Sequence, residues 1–186
     1  MRFRSRWSLH PYLPAVALRA YYTAGKHRIF WNVVRNKCDM IDYLAQIETE
    51  ISKHDSEGKL VVGIDGYAGI GKTTLLQELA QHNPNIIAIN RDDFIIPRKS
   101  FEELLAQASD KSVVFETEIL DLKKVRDLIN AFRTNDNVYQ TTIYNSDTGQ
   151  CDIERKYDLS KKILVIEGIF LFHPKQLNDI FDVKIF

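Results

Sequence analysis

The tightest constraint on this chain is the run from Gly66 to Thr73, because the sequence changes period on either side of it. Ahead of it stands LVVGID, residues 60–65, a short β-branched apolar stretch with the signature of a strand buried on both faces. Behind it Leu75, Leu76, Leu79 and Ala80 recur at helical spacing. Gly66, Gly71, Lys72 and Thr73 fill the pattern GxxxxGK[ST] in the order of strand, loop and helix that the pattern requires. Glycines admit positive φ and keep Cβ atoms out of the way. Successive backbone N–H groups can then converge on one anion, beside the positive end of a helix. Lys72 adds a point charge for the β and γ phosphates, and the Thr73 hydroxyl suits a hard Mg²⁺ ion. The loop of Gly66, Tyr67, Ala68, Gly69, Ile70, Gly71, Lys72, Thr73 and Thr74 is expected to hold a nucleoside triphosphate.

Two further strand ends carry acids. IIAIN, residues 86–90, runs into RDDFIIP, which places Asp92 and Asp93 at the carboxyl end of a parallel strand, beside the ligand crevice of an open α/β sheet. A carboxylate there can take the proton of an attacking hydroxyl or hold a metal. KKILVI, residues 161–166, closes on Glu167, the general form of a Walker B element. A buried glutamate without a partner is expensive, which favours a functional role.

Taken together, GIDGYAGIGKTT, the DDF with Pro97 three residues after it, and the strand ending in EGIF resemble the uridine kinase and phosphoribulokinase family. The resemblance covers roughly Leu60 to Phe186. It implies an α/β, three-layer fold of the P-loop kinase type with a mostly parallel sheet, and ATP and Mg²⁺ as cofactors. It also implies that Asp92 is the catalytic base, working beside Lys72, and that Glu167 joins Thr73 and Asp92 at the metal. Asp93 occupies the variable middle position of the DDF element and ranks below Asp92. An acidic residue that contacts acceptor hydroxyls in the family is matched by Glu116, in FETEILD, and a tyrosine that stacks near the base is matched by Tyr144. The histidine with which nucleoside kinases read a pyrimidine is not apparent after Tyr144, where the chain reads NSDTG. Family members continue beyond the strand that opens at DVKIF into an arginine-bearing lid and a last strand. The expectation is of a domain truncated at its C-terminus.

Between these elements, Asp121 reads as the N-cap of a helix with the apolar stripe Leu122, Val125, Leu128, Ile129 and Phe132. Val138 to Tyr144 and Cys151 to Tyr157 read as the arms of a hairpin around the SDTG turn.

Composition bounds the rest. With 45% hydrophobic and 27% charged residues, the chain can bury one core and is neither a disordered tail nor a disulfide-stapled miniprotein. Its 25 bases and 25 acids cancel, so nothing in the total suggests a nucleic-acid binder. The balance is uneven along the chain. Up to Asp39 eight Lys or Arg meet one acid, and from Met40 onward 17 bases meet 24 acids. This basic leader, residues 1–39, is open to three readings: a secretory signal, an organellar transit peptide, or an extension outside the functional domain. The last is adopted, with translation beginning at Met40 and the domain spanning residues 40–186. Leu44, Ile47 and Ile51 follow Ile41 at helical spacing directly after that methionine. Pro11, Pro14 and Arg19 interrupt the best apolar run, and Cys38 and Cys151 form no metal or disulfide pattern. A soluble, cytoplasmic protein with a small-molecule substrate is expected, with neither nucleic acid nor membrane as partner.

The function these readings support is an ATP-dependent kinase that transfers the γ-phosphoryl group to a hydroxyl of a nucleoside-like or pantothenate-like acceptor. The alternative is a nucleotide-binding protein, or a truncated product, without kinase turnover. A GTPase switch predicts an Asn-Lys-x-Asp guanine reader after the loop, and none follows Gly66.

Overall fold

The computed structural model describes residues 28–29, 37–54 and 58–186. Its elements in chain order are β1 (Arg28–Ile29), α1 (Lys37–Ser52), β2 (Leu60–Asp65), α2 (Lys72–His82), β3 (Ile86–Asn90), a 3₁₀ turn (Arg91–Phe94), α3 (Arg98–Gln107), α4 (Lys111–Thr117), α5 (Leu122–Arg133), β4 (Val138–Asn145), β5 (Gln150–Asp158), β6 (Ile163–Gly168) and β7 (Val183–Ile185). The boundary expected at residue 40 falls inside α1, and Arg28–Ile29 pairs with β7. The rest of the basic leader, with its signal, transit and start-site readings, lies outside the described residues.

Five strands form one parallel sheet in the order β1, β7, β2, β6, β3. Alternation along each central strand sends side chains to two cores, which makes three layers. Val62, Ile64, Val165 and Ile185 face α1 and α2, where Leu44, Ile47, Leu75 and Leu79 cover them. Val61, Ile87, Ile89, Leu164 and Ile166 face the opposite way, toward Val125, Leu128, Ile129 and Phe132 of α5. That stripe is the one read from sequence, and the Asp121 side chain caps α5 by accepting from the Lys124 N–H at 3.1 Å. Strands sheltered on both faces account for the unbroken apolar runs of β2 and β6, every residue of which is buried.

The hairpin forms with slightly longer arms than its sequence suggested. Its ladder runs from Val138 opposite Asp158 to Ile143 opposite Ile153, then shifts register at Tyr144 before Asn145 meets Gln150. The DVKIF segment supplies β7, which pairs with β2. Among the described residues no helix is long and apolar enough to cross a membrane.

The order of strands decides the position of the site. β6 lies between β2 and β3, so Glu167 stands level with Ile64 on one side and Asn90 on the other. The carboxyl ends of all three strands therefore open on the same edge, where ligands bind in open α/β sheets.

Candidate active site

The phosphate loop leaves β2 at Gly66 and enters α2 at Lys72. Gly71 caps that helix with φ 97°, and Gly69 has φ 79°, both left-handed values at which an L side chain would be strained. Among the described residues, apart from each glycine's chain neighbours, no heavy atom lies within 4 Å of where a Cβ would sit at either glycine, so the loop presents bare backbone on that side. Tyr67, Ala68 and Gly69 are exposed, as are Thr73 and Thr74 on the first turn of α2. Lys72 is buried and folds back over its own loop, donating to the carbonyl oxygens of Gly66 (2.9 Å) and Tyr67 (2.7 Å). Burial lowers its pKa from the ordinary lysine range, opposed by Glu167, Asp65 and Asp92. Three acids from three strand ends thus act on one ammonium.

The Thr73 hydroxyl donates to Glu167 Oε1 at 2.8 Å. Glu167 is only 4% exposed, and burial raises its pKa against the lowering effects of Thr73 and Lys72. A hydroxyl and a carboxylate held in contact at the mouth of a phosphate loop are a fitting donor pair for a hard divalent cation, which prefers oxygen and keeps several waters. Asp92 is the exposed acid of the set. Its backbone N–H donates to Asn90 Oδ1 at 2.8 Å, and its carboxylate accepts from Arg91 Nη1 at 3.3 Å.

The structure therefore gathers Lys72, Thr73, Glu167 and Asp92 at one edge of the sheet. The acceptor-side candidates Asp93, Glu116 and Tyr144 lie on the turn after β3, in α4 and in the hairpin. Asp93 turns toward the hairpin, where its Oδ2 accepts from Tyr157 Oη at 3.2 Å. Glu116 lies in α4, and its backbone oxygen accepts from Gln176 Nε2, in the segment after β6. Tyr144 sits half-buried at the register shift of the hairpin.

Sequence reasoning passed over three residues. Asp65, 1% exposed, ends β2; its Oδ1 accepts from Gly66 N at 2.8 Å and its Oδ2 from Phe172 N at 3.0 Å. Burial pushes its pKa up to about 6, although both backbone donors pull the other way. The signal was present, since LVVGID closes on an acid just as ILVIE does. Arg91, 2% exposed, lies across Gly168, where a Cβ would come within 2.5 Å of the arginine Cδ. Its Nε and Nη2 have no hydrogen-bond partner among the described residues, while Asp92, Asp65 and Glu167 all oppose the lowering of its pKa by burial. No periodicity marks an arginine as internal. Tyr157, 6% exposed, reads in sequence as one more hairpin aromatic.

Comparison with known proteins fits this geometry. The sequence profile of the Phosphoribulokinase / Uridine kinase family matches residues 61–186. The chain belongs to that family. Among members of the phosphoribulokinase and uridine kinase family, human nicotinamide riboside kinase 1 is 27% identical over 126 residues, covering 68% of this chain and 57% of that protein. The uridine kinase of Staphylococcus haemolyticus is 28% identical over 130 residues, covering 68% of this chain and 60% of that protein. The chain thus spans less than two-thirds of the length of these relatives. A solved structure titled as a possible uridine kinase from Bacillus stearothermophilus shares the fold, with a TM-score of 0.65 at 22% identity, over 78% of this chain and 79% of that one. D-glycerate 3-kinase from Cryptococcus neoformans gives a TM-score of 0.55 at 16% identity, over 71% of this chain and 52% of that one.

One tetrad of the guanine-reading form does occur in the sequence, at residues 36–39, but it precedes the phosphate loop. Its last three residues open α1, and its first lies outside the described residues.

Proposed function

We propose that the protein is an ATP-dependent kinase that transfers the γ-phosphoryl group to a hydroxyl of a small, nucleoside-like acceptor. A pantothenate-like acceptor is the second choice. The observation that carries this reading is the arrangement of β2, β6 and β3, which sets Lys72, the Thr73–Glu167 pair and Asp92 along one sheet edge. The names of the relatives, uridine kinase and nicotinamide riboside kinase, favour the nucleoside class.

Each residue then has a task. The N–H groups of the Gly66 to Thr74 loop and the start of α2 cradle the triphosphate. Lys72 exchanges its two loop carbonyls for phosphate oxygens, which returns a buried cation to an anionic partner. Thr73, Glu167 and Asp92 would hold Mg²⁺, which when bound neutralises charge on the β and γ phosphates. Asp92, the exposed carboxylate, orients the acceptor hydroxyl and takes its proton as the oxygen attacks the γ-phosphorus, whose bond to the bridging oxygen breaks to release ADP. Such transfer depends mostly on positioning and charge stabilisation, so small displacements of these groups have large kinetic consequences.

The test is ADP release with Mg·ATP against a panel of nucleosides, pantothenate and sugar phosphates, beside an Asp92→Ala control. Acceptor-stimulated turnover that disappears in the control supports the kinase. Nucleotide binding with no stimulation by any acceptor would assign the protein to binding without turnover.

A further inference from the structure

Asp92 sits on a 3₁₀ turn of only four residues, closed by a long hydrogen bond from Ile95 N to Asp92 O at 3.4 Å. So short a turn cannot hold a general base in place by itself, because its own hydrogen-bond geometry is poor. The fixing must come from outside the turn. On the side of β3, Asn90 and Arg91 hold the Asp92 backbone and carboxylate. On the other side the β4–β5 hairpin grips the residues that follow.

That grip extends through the whole segment. Tyr157 Oη donates to Asp93 Oδ2 at 3.2 Å, and the Tyr157 ring stacks on Phe94 with centroids 6.4 Å apart and planes inclined by 20°. Cys151 Sγ lies 3.4 Å from the Ile95 carbonyl oxygen. Arg98 N donates to Gly149 O at 2.8 Å, and Arg98 Nη2 donates to Ser146 O at 2.9 Å. The hairpin is itself braced on α5, where Lys124 Nζ donates to Thr142 O at 3.1 Å. Most of these contacts are packing or backbone bonds. The Tyr157 hydroxyl is different: it is the one side-chain hydrogen bond among them that lands on the turn itself, on the residue next to the base. Burial beside Asp93 keeps that hydroxyl protonated, so it acts as a donor.

We propose that Tyr157 is a positioning residue for Asp92, acting through Asp93, so that the pose of the base depends on the seating of the hairpin. Asp93 then serves the turn rather than the acceptor. The inference rests on the kinase reading for its catalytic consequence, but its structural half does not. A base displaced by about 1 Å loses on the order of a hundredfold in rate, which is the scale on which one hydroxyl can matter here.

Tyr157→Phe is the informative variant, because it keeps the ring and its stack on Phe94 and removes only the hydroxyl. Hydrogen exchange of the free protein reads the structural half. In Tyr157→Phe the amides of Asp92 to Ile95 exchange faster, while those of α2 and β6 keep the wild-type rate. Unchanged exchange in the turn would overturn the proposal, whether or not an acceptor has been found. Kinetics reads the other half. We expect kcat to fall roughly tenfold to a hundredfold, with the acceptor KM and the Mg·ATP affinity within about threefold of wild type, that being less than 0.7 kcal/mol. The double variant with Asp93→Ala should be no slower than Asp93→Ala alone, because both remove one interaction. A loss expressed in KM instead of kcat, or additive losses in the double variant, would contradict a positioning role. A wild-type chain that turns over no acceptor would sink the kinase reading and leave the exchange result to decide the coupling.

Discussion

Asp65 gives the sharpest quantitative test of the site's electrostatics. It is 1% exposed, and burial raises its pKa from the ordinary 3.8 to about 6. The folded state therefore binds this proton more tightly than the unfolded chain does. The associated stability is fully present below about pH 4 and is lost as pH rises through about 6. A shift from 3.8 to about 6 at 1.36 kcal/mol per unit corresponds to about 3 kcal/mol across that window. Asp65→Asn cannot ionise, so it lacks this term. It also has one acceptor oxygen where Asp65 uses two, so it loses one of the bonds to Gly66 N and Phe172 N and starts from a lower stability at acid pH. Urea unfolding of both proteins from pH 4 to 8 measures the difference. The wild-type advantage should shrink as pH rises, by an amount of the order just given. Stability curves that run parallel for the two proteins would refute the assignment of a buried, proton-binding carboxylate beneath the phosphate loop.

Other substitutions probe separate joints of the site. Asp92→Ala should lower acceptor-stimulated ADP release by roughly 10² to 10⁴, the usual worth of a general base, while calorimetry still finds the nucleotide bound at saturating Mg²⁺. Thr73→Val removes the hydroxyl that meets Glu167, so a Mg²⁺ titration of nucleotide binding should shift to concentrations roughly tenfold higher or more. Gly168→Ala sets a Cβ 2.5 Å from Arg91 Cδ and 2.6 Å from Arg91 Cβ, which forces an internal arginine to move. We expect a loss of about 1–3 kcal/mol, visible as a lower Tm, and an unchanged melting curve would show that Arg91 does not lie across that glycine.

Much of the layout could be read from the chain because it obeys simple periods. β2 and β6 are buried on both faces and announce themselves as continuous apolar runs, the edge strand β3 is a shorter apolar run with Ala88 exposed, and the α5 stripe and its Asp121 cap follow helical spacing. The phosphate loop is legible because glycine is required where φ is positive, as at Gly69 and Gly71. What stayed hidden depends on tertiary proximity. Arg91 looks like any charged residue beside two acids until β6 brings Gly168 beneath it and removes it from water. Asp93, ranked below Asp92 in the sequence, meets Tyr157 only once the hairpin has folded over it. Glu116 was matched to acceptor hydroxyls by its place in the sequence, and its backbone oxygen in α4 accepts from Gln176, a contact that no spacing marks. Strand order was equally invisible, and it is what puts Glu167 between the loop and Asp92.

The most direct measurement is isothermal calorimetry of Mg·ATP against the folded protein and its Lys72→Ala variant. A nest of backbone amides completed by one lysine predicts a saturable single site in the wild type. Its affinity should fall roughly tenfold to a hundredfold in the variant, the worth of one charge-assisted contact. A well-folded wild type that gives no heat with Mg·ATP, or a variant that binds as tightly as its parent, would contradict the assignment of this strand edge to the triphosphate.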